Sequence, residues 1–193
     1  MSSTVDAPDW STIPAPMDDG ATRHLKGLKL NPIYLTATSG ESVDLSALKG
    51  RTVVYAYPRT GRPGIENPEG WDMIPGARGC TPQSCSFRDH FADLKTQGVS
   101  HLFGLSTQDP DYQKEAADRL HLPFPLLSDE RLELAKGMGL PTFETGGMTL
   151  FKRFTLVIDD GMVSHVFYPV FPPDQSSIEV LRWLANQASR TKT

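Results

Sequence analysis

Two cysteines sit within six positions of each other, in Gly79-Cys80-Thr81-Pro82-Gln83-Ser84-Cys85, and the remaining 191 residues contain no other. A pair this close can clip a metal, staple a loop, or cycle between dithiol and disulfide. Closing so short a loop removes little chain entropy, and two cysteines are too few for a stapled secreted scaffold. The C-x4-C spacing is looser than that of most zinc pairs, no second pair exists, and His24, His90, His101, His121 and His165 are scattered. No metal and no cofactor is therefore expected. Thiol chemistry remains, against the plainer alternative that both are inert buried thiols.

The elements around the pair favour the reactive reading. Val53-Val54-Tyr55-Ala56-Tyr57, ended by Pro58, reads as a strand buried on both faces. A helix should begin close to Cys80: Thr81 can cap, Pro82 suits the first helical position, Phe87, Phe91 and Leu94 recur at helical spacing, and Gly98 stops it. Open α/β sheets place their sites at such strand-to-helix turns. Free backbone N–H groups and the helix dipole stabilise negative charge there, and the thiolate is the nucleophilic form of cysteine. Arg59, Arg62 and Arg78 are near in sequence; which of them reaches the sulfur stays open. A regular helix through both cysteines holds their Cα atoms roughly 8–9 Å apart. A disulfide needs them within about 7 Å. The pair bonds only if the first turn unwinds, so Cys80 oxidised to a sulfenic acid would condense with Cys85 as the helix start melts. Pro82 removes one donor from that turn.

The rest of the chain supplies a frame. Residues 30–36 and 42–45 suggest a hairpin around Ser39-Gly40, residues 101–106 and 124–127 suggest strands, and Asp109-Pro110 opens a helix running to about Leu120. Ser128-Asp129 begins another, ending near Gly137 or Gly139. Residues 154–158 and 162–167 flank Asp159-Asp160-Gly161, a hairpin signal. Asp174 starts a final helix carrying Ile178, Leu181 and Leu184 on one face. Strands alternating with helices, then a hairpin and a helix, predict an α/β chain of thioredoxin-like outline with a mixed central sheet flanked by helices. Residues 1–24, rich in Ser, Pro and Asp, are expected as a flexible or surface-draped arm, and residues 25–190 as the domain. Residues 59–79, with several Gly and Pro, form an inserted loop before the active-site helix.

Composition narrows the classes further. Of 193 residues, 38% are hydrophobic and 22% charged, the range of an ordinary globular protein. A net charge of −4 with no basic cluster gives no case for nucleic acid. No apolar run approaches the roughly 18 residues of a membrane span. The first 24 residues carry Asp6, Asp9, Asp18 and Asp19 with no apolar stretch, unlike a signal peptide. The cytoplasm is the expected compartment.

Tyr57-Pro58 followed by the stretch from Gly79 to Asp89 resembles the signature of peroxiredoxins of the bacterioferritin-comigratory, or PrxQ, type. Residues 43–50, 122–129 and 153–159 match that family in order and approximate spacing, so the resemblance spans about residues 26–185. It implies a thioredoxin fold that reduces hydrogen peroxide and organic hydroperoxides, with Cys80 as the peroxidatic and Cys85 as the resolving cysteine. It also implies that Pro58 shields the pocket and that Arg153 bonds the thiolate and the peroxide oxygens. The implied partners are hydroperoxide substrates and thioredoxin or a similar dithiol, in a monomer or weak homodimer. The family's pattern is Pro, three residues, Thr, two residues, Cys. Here 21 residues separate Pro58 from Cys80, and Ala77 or Arg62, counted from either end, replaces the Thr. Thr60 and Thr81 are the hydroxyls left to substitute, and the insertion, with Trp71, is expected to act as a lid or substrate wall. The competing functions are a thiol–disulfide oxidoreductase, which normally uses C-x-x-C, and a thioredoxin-fold redox sensor with weak or no peroxidase activity.

Overall fold

The computed structural model describes residues 8–191. Its strands are β1 (Tyr34–Ala37), β2 (Ser42–Asp44), β3 (Arg51–Ala56), β4 (Val99–Ser106) and β5 (Leu126–Ser128), followed by β6 (Thr142–Thr145), β7 (Met148–Phe151), β8 (Phe154–Asp159) and β9 (Met162–Phe167). The helices are α1 (Cys80–Asp89), α2 (Phe91–Thr96), α3 (Pro110–Arg119), α4 (Glu133–Met138) and α5 (Ser176–Arg190). Seven strands make one mixed sheet in the order β2-β1-β5-β4-β3-β8-β9, and β6 and β7 pair separately. β3, β4 and β5 run parallel, which requires crossovers, and α1 with α2 and then α3 supply them. The architecture is thioredoxin-like: a mixed sheet with helices packed on it.

Alternation along β3 explains why its whole run is apolar. Val53, Tyr55 and Tyr57 join a core with Cys80, Phe87, Leu94, Val180 and Leu184, so they meet α1, α2 and α5. Val54 and Ala56 point the other way, into a core with Leu35, Leu45, Leu134 and Met138. Successive strand residues face opposite sides, and a strand covered on both needs apolar residues at each. The Tyr55 ring stacks on Phe87 with centroids 4.3 Å apart, and its hydroxyl donates to Ser84 Oγ at 3.0 Å. This pins α1 to the strand that delivers the chain to the cysteines.

Three elements differ from the periodicity. The helix expected from Cys80 to Gly98 is broken at His90, whose φ of −102° and ψ of 11° leave the helical region while Nδ1 bonds the Ser86 carbonyl at 2.9 Å. The helix expected from Ser128-Asp129 starts later, at Glu133. The chain first makes a turn with Leu132 at φ 58°, and the buried Asp129 carboxylate caps the helix by accepting from the N–H groups of Leu134 and Ala135. Finally, β6 and β7 form a hairpin that the periodicity did not reveal, turned by Gly146 and Gly147 at φ 54° and 73°.

Residues 1–7 of the expected arm lie outside the described residues. Residues 8–24 run along the domain and touch it at several points: Trp10 Nε1 donates to Asp174 Oδ2 at 2.9 Å, and Asp19 accepts from Lys152 Nζ and the Tyr168 hydroxyl, both at 2.8 Å. Those two donors hold the Asp19 carboxyl below the usual carboxylate range.

Candidate active site

Cys80 is the first residue of α1, and the residue before it is Gly79 at φ 109° and ψ 17°. That backbone suits glycine, and a Cβ there would also lie 2.6 Å from Pro173 Cγ and 2.8 Å from Trp10 Cη2. Glycine is required on both counts. Cys80 is 3% exposed.

Three groups surround its sulfur. Arg153 Nη2 lies 3.3 Å from Sγ, the backbone N–H of Arg59 donates to it at 3.4 Å, and the Ala77 carbonyl stands 3.6 Å away as acceptor for the thiol proton. Arg59 follows the buried Pro58 directly, so the turn leaving β3 brings both to the cysteine. Arg153 lies in the two-residue link between β7 and β8 and is 3% exposed. The same Nη2 points at the carbonyls of Gly76, Ala77 and Arg78 at 3.2–3.3 Å, and Nη1 bonds Gln83 Oε1. All of these partners are neutral. A buried cation held only by dipoles stabilises any negative charge placed against it, here the sulfur or an oxygen bound to it.

Of the three arginines near in sequence, Arg59 contributes through its backbone. Its guanidinium, like that of Arg62, lies over the Tyr112 ring at 5.4 and 5.7 Å, and Arg78 pairs with Asp72 at 3.5 Å. Of the two positions that counting sets against the family's threonine, Ala77 is fully buried and Arg62 lies over Tyr112, and neither offers a hydroxyl. The Thr60 hydroxyl donates to Gln108 Oε1 at 3.3 Å.

Cys85 lies in the same helix, half-buried, and both thiols are free. Burial pushes the Cys85 thiol above its ordinary pKa, with Asp89 adding to this and Arg88 and Arg119 opposing it. Burial thus disfavours the Cys85 thiolate, and a regular helix keeps its Cα from bonding distance to that of Cys80.

Residues 59–79 are not a bare loop. Trp71 and Ala77 are buried with Leu150, and Ile74, Phe143 and Met148 pack against them, so the insertion shares a small core with the β6–β7 hairpin. A cavity of about 220 Å³ beside Arg153 is lined by Ile74, Pro75, Gly76, Phe143 and Tyr168, together with Pro16 and Met17 from the arm.

Sequence reasoning missed Gln83 and Ser176. Gln83 is fully buried, takes the Arg153 guanidinium at Oε1, and donates from Nε2 to Ser176 Oγ at 3.2 Å. Its partners lie 70 and 93 positions away, and the only local signal is an amide on the buried side of a helix.

Comparison with known proteins gives a consistent picture. The Redoxin family model matches residues 7–181. The chain is 35% identical over 161 residues to a chloroplastic peroxiredoxin Q of Oryza sativa subsp. japonica, covering 82% of this chain and 66% of the relative. It is 33% identical over 154 residues to peroxiredoxin Bcp of Escherichia coli K12, covering 77% of this chain and 88% of the relative. The chain spans about two thirds of the length of the rice relative. Among solved structures, peroxidoxin BcpB from Mycobacterium tuberculosis superposes with a TM-score of 0.67 at 27% identity, covering 84% of this chain and 98% of that one. A Xylella fastidiosa PrxQ superposes with a TM-score of 0.68 at 20% identity, covering 86% and 98%, a likeness of fold.

Proposed function

The chain belongs to the redoxin family, among its PrxQ- and Bcp-like peroxiredoxins, and from that membership we propose that it is a thiol-dependent peroxidase in which Cys80 attacks the peroxide and Cys85 resolves the product. The observation that carries this reading is the 3.3 Å approach of the buried Arg153 guanidinium to Cys80 Sγ. The Cys80 thiolate attacks one peroxide oxygen, the O–O bond breaks, a sulfenic acid forms, and the other oxygen leaves as water or an alcohol after taking a proton. Charge grows on the departing oxygen during this step. Arg153 and the Arg59 N–H, fixed beforehand, stabilise that charge more than they stabilise the reactants. Pro58 shields the sulfur from bulk water.

The Cys85 thiol then attacks the sulfenic sulfur, a disulfide forms, and water leaves. The first turn of α1 has to unwind for this. A dithiol such as thioredoxin completes the cycle by exchange, which calls for a reducing compartment; we propose the cytoplasm, while the plant relatives carry chloroplastic names. No described helix is long and apolar enough to cross a membrane. The cavity beside Arg153 has a largely apolar wall, supplied by Ile74, Pro75, Phe143 and the arm, and we assign it the organic part of a hydroperoxide.

The missing threonine of the family pattern, with Ala77 or Arg62 at its place, favours a second reading, a redox sensor of the same chemistry but low turnover. Stopped-flow oxidation by hydrogen peroxide and by cumene hydroperoxide, with Cys80→Ser as the blank, tests the proposal. A peroxidase reacts orders of magnitude faster than free cysteine; a rate equal to that of free cysteine removes the peroxidase reading.

A further inference from the structure

Resolution requires the first turn of α1 to open, and that turn is held from outside the helix. Gly79 is packed between Pro173 and Trp10, so closely that no Cβ fits. Trp10 is not a loose end. It starts a short 3-10 turn, Trp10–Thr12, capped by the Asp9 carboxylate, which accepts from Ser11 N at 3.1 Å. Its ring meets Phe171 edge-on at 6.1 Å, and its Nε1 donates to Asp174 in the turn that leads into α5. Gln83, in the same first turn, is tied to Ser176 at the start of α5. Unwinding residues 80–83 must therefore pull Gly79 from under the indole.

We infer that Trp10 is a positioning residue for the resolution step: by clamping Gly79 it keeps the first turn of α1 wound and slows closure of the Cys80–Cys85 disulfide. Applied to peroxide, the inference rests on the function proposed above. While the turn is wound, the Cys80 sulfenic acid has two fates. Attack by the Cys85 thiol gives the disulfide and water. Reaction with a second hydroperoxide gives the sulfinic acid and an alcohol or water. A tighter clamp shifts the product toward the second.

The test compares full-length wild type, Trp10→Ala, Trp10→Leu and Ala15→Ser, the last an exposed position on the same arm. Reduced protein is mixed with diamide, which takes one thiolate across its N=N bond and is displaced as the hydrazine by the second thiol. Disulfide closure, followed by free-thiol count, should be about fivefold faster in Trp10→Ala, the factor that corresponds to roughly 1 kcal/mol of clamp, and unchanged in Ala15→Ser. Amide hydrogen exchange should rise at residues 80–85 while the strands keep their protection. With excess cumene hydroperoxide the sulfinic fraction, read by mass, should fall. Equal closure rates in wild type and Trp10→Ala overturn the inference, and Trp10→Leu decides in the same way if the alanine variant does not fold. If wild type fails to react with peroxide while diamide closure still accelerates in the variant, the peroxidase reading falls and the clamp stands.

Discussion

Replacing Arg153 by Met should cost most of the peroxide reactivity. The guanidinium lies 3.3 Å from the sulfur; at an effective dielectric of 20 a unit charge pair at that separation is worth about 5 kcal/mol before any solvation penalty. Part of this is spent on stabilising the ground-state thiolate and part is retained by the Arg59 N–H. A loss of about 3–4 kcal/mol in the transition state, close to that of removing one oxyanion donor, corresponds to a rate constant lower by roughly 10²–10³. Arg153→Lys keeps the charge but not the fork that reaches the sulfur, Gln83 and three carbonyls at once, so it should recover only part of the rate. The assay is stopped-flow oxidation as a function of pH, compared at the plateau so that a change in thiolate population does not enter. Circular dichroism on the same samples checks the fold, because the substitution frees buried carbonyls. A plateau rate for Arg153→Met within threefold of wild type, in a folded protein, would refute the reasoning.

Three further predictions follow from the same geometry. In Cys80→Ser, alkylation of Cys85 by iodoacetamide should lag behind free cysteine at neutral pH and catch up only at higher pH, because burial raises its pKa and so lowers the thiolate fraction; a pH profile equal to that of free cysteine contradicts this. Replacing residues 61–74 by a short Gly/Ser linker should change the ratio of cumene hydroperoxide to hydrogen peroxide rates, since Trp71 and Ile74 hold the cavity wall, and an unchanged ratio sinks the wall assignment. Phe87→Ala, at a fully buried position stacked on Tyr55, should cost about 3–5 kcal/mol in urea unfolding; a loss below about 1 kcal/mol would mean the site repacks.

What could be read from the sequence follows the range of the interactions involved. The strand ending at Pro58, the helix starting at Cys80 and the hairpin around Asp160-Gly161 are set by local patterns, and they appear where those patterns put them. The Gly146-Gly147 turn was equally local and carried a hairpin signal that the apolar spacing around it did not reinforce. The break at His90 escaped because Phe91 and Leu94 continue the apolar spacing across it. Arg153 had no local mark of its own beside the family resemblance, since only the fold brings residue 153 to residue 80. Gln83 and Trp10 were out of reach for the same reason: each acts through partners more than 65 positions away.

The most direct test of the central claim is intact mass and free-thiol count over time after reduced protein meets one equivalent of hydrogen peroxide, with Cys80→Ser and Cys85→Ser alongside. The account predicts fast loss of both thiols and a mass lower by about two hydrogens in wild type. It also predicts a sulfenic acid that persists in Cys85→Ser and no fast reaction in Cys80→Ser. Fast oxidation that survives Cys80→Ser, or wild-type oxidation no faster than that of free cysteine, would contradict it.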